Sequence, residues 1–265
     1  TTQEVVDTFQ LSMNGKKVIA PLHVGFAYTK PLAVVGNILD KENGYLTLLS
    51  TATRRPIDIV EISCPGARDA MFNMDDSKIF TTCQQEPKGM AVIDVEARKE
   101  IKMVPIKGGR AGGMDPQGKY FMVSASKSVH FFDSQTAELV KTIKVPGGGG
   151  NFTCLKDGSK CYVGLRKANA VGVIDMAKLE LMKTIETGPD ANRLYLNPGN
   201  SRFGLFANES GKSDVVSIID TQLDIKVKDI WTGLGPHNVA FDPDGNYAVI
   251  STKKENVATL VDTAS

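Results

Sequence analysis

The chain is poor in several residue types that would mark a specialised class of protein. It contains one tryptophan, three histidines and four cysteines among 265 residues, and its 31 Lys+Arg nearly equal its 30 Asp+Glu. The balanced charge argues against an electrostatic nucleic-acid binder. No apolar run approaches the ~18 residues of a membrane span. With 42% hydrophobic residues, the composition is that of an ordinary globular protein.

Few cysteines limit the covalent chemistry of the chain. There are four, too few for a disulfide framework in a chain of this length: Cys64, Cys83, Cys154 and Cys161. No CxxCH motif occurs, which excludes a covalent c-type haem on this chain. Cys154 and Cys161 flank a predicted turn, so the strand register decides whether they can bridge. A disulfide at this point would support export, whereas two buried thiols would say little.

The N-terminus lacks a basic region and an apolar signal core. It also lacks an initiator Met, which favours a processed start. We therefore predict an exported protein, in the periplasm, outside the cell or on its surface, whose signal sequence is absent from this chain.

An internal repeat is the strongest signal in the sequence. An apolar pair followed by Asp recurs, and from Asp94 the aspartates are spaced by 39, 42, 45 and 42 residues. The period is that of a β-propeller blade. The copies are Val5–Asp7, Val92–Asp94, Phe131–Asp133, Val173–Asp175, Ile218–Asp220 and Leu260–Asp262, with Leu48–Ser50 as a degenerate copy.

Each repeat predicts four strands. One copy shows an inner strand at Asn238–Phe241, a second at Tyr247–Ser251 and a third, Asp-ending strand at Ala258–Asp262. The fourth strand is visible in Ile225–Ile230, where apolar and polar residues alternate as in a half-exposed strand. The pattern predicts an all-β protein, a β-propeller of four-stranded antiparallel blades in a single domain spanning residues 1–265.

The blade number is open between seven and six. Seven blades, with one incomplete in this chain, are favoured because that ring uses the surplus strand at Val5–Asp7. It requires one more outer strand and one more hairpin after Ser265. In a six-bladed ring, Phe9–Leu11 completes the last blade as its outer strand and Val5–Asp7 is left over.

The segment Thr232–Gly245, TGLGPHNVAFDPDG, resembles the inner-strand signature of YVTN-type β-propeller repeats. This family occurs in bacterial and archaeal surface and periplasmic proteins. Similar propellers also occur as subunits of periplasmic redox complexes, in which partner subunits carry the haem.

Candidate binding residues lie on the loops that join an outer strand to the next inner strand, because these loops converge on one mouth of a propeller channel. Two aligned positions of these loops are polar and do not repeat. Arginines there suit carboxylate or phosphate recognition; the alternative is that they pair with Asp69 and Asp190 and solvate the mouth. The predicted binding residues are His23, Arg68, Asp69, Arg110, Asn192, Arg193, His237 and Asn238.

No catalytic or metal-binding motif is recognisable in the sequence. The first hypothesis is a non-catalytic binding subunit that presents its channel mouth and blade edges to partner proteins in an exported multi-subunit complex, in one version a redox complex. The chain would then carry no cofactor. The alternative is an enzyme or cofactor carrier, lactonase-like or lyase-like, or with a non-covalent haem or metal, which uses His23 or His237 and takes a small-molecule ligand at the mouth.

Overall fold

The computed structural model describes residues 4–5, 7–16, 18, 21–38 and 41–263. These residues form 23 strands in six sheets, and one turn of 3-10 helix at Arg166–Ala168. No helix in the described ranges is long and apolar enough to span a membrane. The chain divides into two compact units, one with residues 1–114, 118–123 and 132–139, the other with residues 115–117, 124–131 and 140–265.

Consecutive strands pair within each sheet. The first sheet contains β1 (Pro21–Phe26), β2 (Leu32–Asn37), β3 (Gly44–Ser50) and β4 (Arg55–Ile62). The second contains β5 (Met71–Phe72), β6 (Lys78–Cys83), β7 (Gly89–Asp94) and β8 (Lys99–Pro105). The third contains β9 (Ala111–Met114), β10 (Tyr120–Ser124), β11 (Ser128–Asp133) and β12 (Leu139–Lys144).

The remaining three sheets belong to the second unit. The fourth contains β13 (Phe152–Cys154), β14 (Lys160–Leu165), β15 (Ala170–Asp175) and β16 (Glu180–Glu186). The fifth contains β17 (Ala191–Leu196), β18 (Phe203–Asn208), β19 (Val215–Asp220) and β20 (Ile225–Trp231). The sixth has three strands in the described part of the chain, β21 (Pro236–Phe241), β22 (Tyr247–Thr252) and β23 (Ala258–Asp262).

The repeated aspartate ends the third strand of its sheet and shapes the turn that follows. The Oδ1 atom of Asp175 accepts hydrogen bonds from the backbone N–H groups of Ala177 and Lys178, at 2.9 and 3.0 Å. Four residues after the aspartate the backbone is left-handed, with φ of 52° at Leu179. An Asx-turn of this kind directs the chain back into the fourth strand. The same left-handed position recurs at Arg54, Arg98, Ala137 and Asp224.

Burial distinguishes the sixth sheet from its neighbour in sequence. In the fifth sheet, residues 204–208 of β18 are all buried, so both faces of that strand are covered. In the sixth sheet, Ala248 and Ile250 of β22 are buried against Leu205 and Val216. The alternate residues of β22 are exposed. Counting only the described residues, the sixth sheet therefore has one covered face and one bare face.

The fold-class prediction is confirmed: the described chain is a β-propeller protein with five four-stranded antiparallel sheets and one sheet of three described strands. The third strand predicted at Ala258–Asp262 has the observed bounds of β23. The six-bladed version placed an outer strand at Phe9–Leu11, but these residues form no strand, and the Phe9 ring lies 5.7 Å from the Arg55 guanidinium carbon. The predicted surplus strand at Val5–Asp7 includes Val6, which lies outside the described residues. Seven blades and a single domain stay predictions.

Two disulfides cross-link the chain. Cys154 and Cys161 are directly opposite each other on β13 and β14, and they are bonded. The register therefore settles the open question of that pair. Cys64, after β4, is bonded to Cys83 at the end of β6. Disulfides are typical of oxidising compartments, which agrees with the predicted export.

Candidate functional site

A histidine–carboxylate pair forms the candidate site in the first unit. His23 lies on β1, and its Nδ1 atom is 3.0 Å from Oδ1 of Asp69. The side chain of Asp69 is 3% exposed, whereas that of His23 is 34% exposed. In the neutral form of the ring, Asp69 accepts the hydrogen bond from Nδ1–H and the lone pair is on Nε2. Among the described residues, no hydrogen-bond partner of Nε2 is found.

Three further donors satisfy Asp69. Its Oδ2 atom accepts hydrogen bonds from Nη1 of Arg68 at 2.8 Å, from the Gly112 amide at 2.9 Å and from Oγ1 of Thr82 at 3.4 Å. Burial by itself would raise the pKa of Asp69. The His23 hydrogen bond and the Arg68 charge outweigh burial, so the pKa lies below its ordinary value. Asp69 is therefore a buried carboxylate that stays ionised.

A second buried carboxylate, Glu209, organises the candidate site of the second unit. The Glu209 side chain is 6% exposed. Its Oε2 atom lies 3.1 Å from Nζ of Lys253 and 3.4 Å from Nη1 of Arg166. Its Oε1 atom lies 3.3 Å from Nε2 of His237 and accepts a hydrogen bond from the Asn192 amide. Four donors from four separate segments of the chain thus converge on one carboxylate.

The electrostatics of this cluster keep Glu209 ionised and shift the pKa of His237 downward. Burial would raise the pKa of Glu209, but the charges of His237 and Lys253 and the hydrogen bonds from Lys253 and Asn192 lower it below the ordinary value. Burial also lowers the pKa of His237, against the opposing effect of Glu209. Because His237 meets its carboxylate through Nε2, whereas His23 uses Nδ1, the two histidines present different ring nitrogens.

The structure brings six of the eight predicted residues into these two clusters or their edges. His23 and Arg68 both contact Asp69 in the first unit. Asn192 and His237 both contact Glu209 in the second unit. The backbone carbonyl of Arg110 accepts a hydrogen bond from Oγ1 of Thr82, which also contacts Asp69.

The two remaining predicted residues contact Tyr195 instead of either cluster. The Arg193 guanidinium lies 5.2 Å from the centroid of the Tyr195 ring. The Oδ1 atom of Asn238 accepts a hydrogen bond from the Tyr195 hydroxyl at 2.9 Å. The sequence predicts Asp69 and Asp190 as ion-pair partners of the loop arginines. The pair of Arg68 with Asp69 is present, whereas Asp190 pairs with Arg166, at 2.5 Å.

Sequence reasoning missed Arg166, Glu209 and Lys253, although one signal would have found them. Each is the residue directly after the second strand of its sheet, at the ends of β14, β18 and β22. In an antiparallel sheet the second strand ends beside the start of the first strand. The loop after the second strand therefore lies at the same end of the sheet as the aligned loops. The equivalent residues Ile38, Gln84 and Ala125 show the same lack of repetition.

Neither cluster resembles a metal centre in its composition. Within the described ranges, no group of three His, Cys, Asp or Glu side chains is placed to hold a metal ion. Each cluster contains one imidazole and one carboxylate whose oxygens are already occupied by protein donors. The prediction that this chain carries no cofactor stays a prediction. In each cluster a buried carboxylate holds one imidazole ring in a fixed orientation.

Comparisons with known proteins extend the fold assignment. No protein-family model matches the chain, and no curated protein matches its sequence. Among solved structures, a chain of hydrazine synthase from Kuenenia stuttgartiensis is similar, with a TM-score of 0.72 and 17% identity. The similarity covers 95% of this chain and 80% of that chain. At this identity the similarity shows a shared fold.

Proposed function

We propose that this protein is a non-catalytic propeller subunit of an exported multi-subunit complex, in one version a redox complex, and that it binds partner proteins through the face of the sixth sheet that no described residue covers. That face is the observation that carries the proposal. Ala240, Val249 and Leu260 lie opposite one another on β21, β22 and β23 and form an apolar row across the sheet. Leu260 is 67% exposed and Val249 is 46% exposed.

Such a row costs free energy when it faces water, by about 25 cal/mol for each Å² of apolar surface. Contiguous exposed apolar residues typically mark interaction surfaces, whereas single ones need no explanation. Tyr247, on the same face, is 50% exposed and adds an aromatic side chain of the kind enriched at interfaces. The face therefore has the composition of an interface core.

Two further observations support the proposal. The disulfides Cys64–Cys83 and Cys154–Cys161 are the kind that persist in an oxidising compartment. Hydrazine synthase contains a chain with this fold, which supports a place for such a propeller in an enzyme assembly. We therefore expect the catalytic groups of the complex to lie on partner chains.

The test compares two lysine substitutions at exposed apolar positions. We expect Leu260→Lys to abolish stoichiometric association when affinity-tagged protein is isolated from its native cell and weighed by native mass spectrometry. Met182→Lys, on the outer strand β16, changes a side chain that is 53% exposed and should leave the association intact. A Leu260→Lys protein that still carries its partners, or a wild-type chain that carries none, contradicts the proposal.

A second candidate function, base catalysis, is favoured by the His23–Asp69 pair. A buried carboxylate that fixes a histidine tautomer is the arrangement of a general base. If this function holds, His23→Ala lowers the rate of p-nitrophenyl acetate hydrolysis at least tenfold, whereas His130→Ala has no such effect, because hydroxyls of Ser128 and Thr142 occupy both ring nitrogens of His130. Equal rates in wild type and His23→Ala rule out this function.

A further inference from the structure

A polar cavity of about 400 Å³ lies between the fourth and fifth sheets, in the second unit. Cavities that bind small molecules typically have volumes of about 300–1,000 Å³. The turns after the first and third strands form its walls, so it lies at the opposite end of these sheets from the Glu209 cluster. It is lined by Leu155, Lys156, Asp157, Ser159, Lys160, Asn200, Ser201, Arg202, Thr221 and Gln222.

The cavity lies where a contact between successive first hairpins, the turns that join the first two strands of a sheet, is not made. Elsewhere in this unit such turns are joined by side-chain amides. Nε2 of Gln117 donates a hydrogen bond to the Asp157 carbonyl at 3.2 Å, and Nδ2 of Asn197 donates one to the Gly245 carbonyl at 2.6 Å. Among the described residues, no hydrogen bond joins the first hairpin of the fourth sheet to that of the fifth.

Two exceptions to the repeat account for this gap. Leu155 directly follows the first strand of its sheet, at the position that Asn197 occupies in the fifth sheet. A leucine has no amide that could hold the next hairpin. The position after it is Lys156 in the fourth sheet, whereas three other sheets have a proline there, Pro116, Pro198 and Pro243. Both exceptions therefore fall on the hairpin that lines the cavity.

Two of the lining cations are held in place by carboxylates outside the cavity wall. Nζ of Lys160 lies 2.8 Å from Oδ2 of Asp224 and also donates to the Thr221 carbonyl. Nε and Nη2 of Arg202 donate hydrogen bonds to Oδ2 of Asp220, at 3.1 and 3.0 Å. These bonds fix both side chains and leave one Nζ proton of Lys160 and the Nη1 group of Arg202 for a further acceptor.

The rest of the wall supplies more donors than acceptors. Lys156 is exposed, and no ion-pair partner of its side chain is found in the described part of the chain. The Oδ1 atom of Asn200 accepts hydrogen bonds from two backbone N–H groups of its own turn, which leaves its NH₂ group as a donor. Asp157 is the one lining carboxylate, and its Oδ1 atom accepts two hydrogen bonds from Ser159. A wall of this kind suits a ligand that carries anionic oxygens.

A disulfide braces one wall of the cavity. Cys154 and Cys161 are bonded across the first hairpin of the fourth sheet. Five of the six residues between the two cysteines line the cavity. Because a loop that is rigid before binding loses less conformational entropy when a ligand arrives, the bond favours binding at this wall.

We propose that this cavity binds a small hydroxylated oxyanion, either a phosphate ester or a carboxylate. Lys156 and Arg202 contact the anionic oxygens. The amides of Asn200 and Gln222 and the hydroxyl of Ser201 contact the hydroxyl groups of the ligand. The site is separate from the apolar row of the sixth sheet, so the inference does not depend on the proposed function.

Three probes test the class of ligand: glucose 6-phosphate, glucuronate and uncharged glucose. In a titration followed by ¹⁵N NMR, we expect the two anions to shift the backbone amide signals of residues 155–160, 200–202 and 221–222, with a Kd of about 1 mM or tighter. Glucose should bind roughly tenfold more weakly, because hydrogen bonds to a charged group are stronger than those to a neutral one. The anion that binds more tightly distinguishes a phosphate ester from a carboxylate.

Charge substitutions at exposed positions test the residues without disturbing the core. Lys156→Gln should weaken binding of both anions about two- to fivefold, and Gln222→Glu should weaken it at least as much, because it adds a negative charge to the wall. Lys183→Gln, an exposed lysine on β16 outside the cavity, is the control and should bind as wild type does. Glucose binding as tight as that of the anions, equal affinity in wild type and Lys156→Gln, or no shift of these signals at millimolar anion overturns the proposal.

Discussion

Glu209→Gln is expected to destabilise the protein by on the order of 3 kcal/mol, because it removes the charge from a buried carboxylate surrounded by Arg166, His237 and Lys253. The glutamine keeps the size of the side chain but turns an amide group toward hydrogen-bond donors. The melting temperature should fall by roughly 5–10 °C. Urea unfolding followed by circular dichroism measures the change.

The difference in stability between wild type and Glu209→Gln should depend on pH in a defined direction. The folded-state pKa of Glu209 is lowered. The carboxylate therefore contributes to the free energy of unfolding above the unfolded-state pKa, and this contribution is lost as the pH falls through the folded-state pKa. The gap between wild type and Glu209→Gln should thus be largest near neutral pH and shrink below about pH 4. Glu186→Gln, an exposed carboxylate on β16, is the control and should change stability by less than about 0.5 kcal/mol. An equal effect at both positions contradicts the buried cluster.

Asp69→Asn should cost about 3 kcal/mol in the free energy of unfolding, since Asp69 is buried beside Arg68 and accepts hydrogen bonds from four groups. If the amide oxygen keeps the bonds from Gly112 and Arg68, the NH₂ group faces His23. His23 must then accept through Nδ1 and carry its proton on Nε2. The substitution therefore changes the outward nitrogen of His23 from acceptor to donor.

Two measurements test this pair. Carbethoxylation of His23, mapped by mass spectrometry, should slow at least fivefold in Asp69→Asn, because the reactive lone pair no longer faces outward. Asp58→Asn is the control, since Asp58 forms a partly exposed pair with Arg98 and should change stability by less than about 1 kcal/mol. Unchanged His23 reactivity in Asp69→Asn would show that the carboxylate does not set the tautomer. The Asp69 contribution should also fade in acid, because its folded-state pKa is lowered.

The strand order was predictable because each repeat encodes it locally. The aspartate that ends β7, β11, β15 and β19 accepts hydrogen bonds from backbone N–H groups of its own turn, so its spacing is visible in the sequence. The register of β13 on β14, which joins Cys154 to Cys161, follows from one short hairpin. The Cys64–Cys83 bond was not predictable, because it joins residues 19 positions apart that belong to no common hairpin.

The candidate sites were predictable only in part, for a related reason. Arg68 and Asp69 are neighbours in sequence, and alignment of one type of loop found both together with His23. Glu209 lies on a different type of loop, so that alignment missed the residue around which the second cluster is built. Whether a polar loop residue is buried depends on contacts between segments distant in sequence. No local pattern reports that.

The lysine contacts between successive outer strands, Lys102 with Glu138 and Lys141 with Glu180, differ from the two carboxylate clusters in their response to ionic strength. The four side chains are 31–73% exposed, and exposed pairs are screened within about 8 Å at physiological salt. Asp69 and Glu209 are nearly buried and are screened far less. Added salt therefore loosens the contacts between outer strands while the two histidine–carboxylate pairs persist.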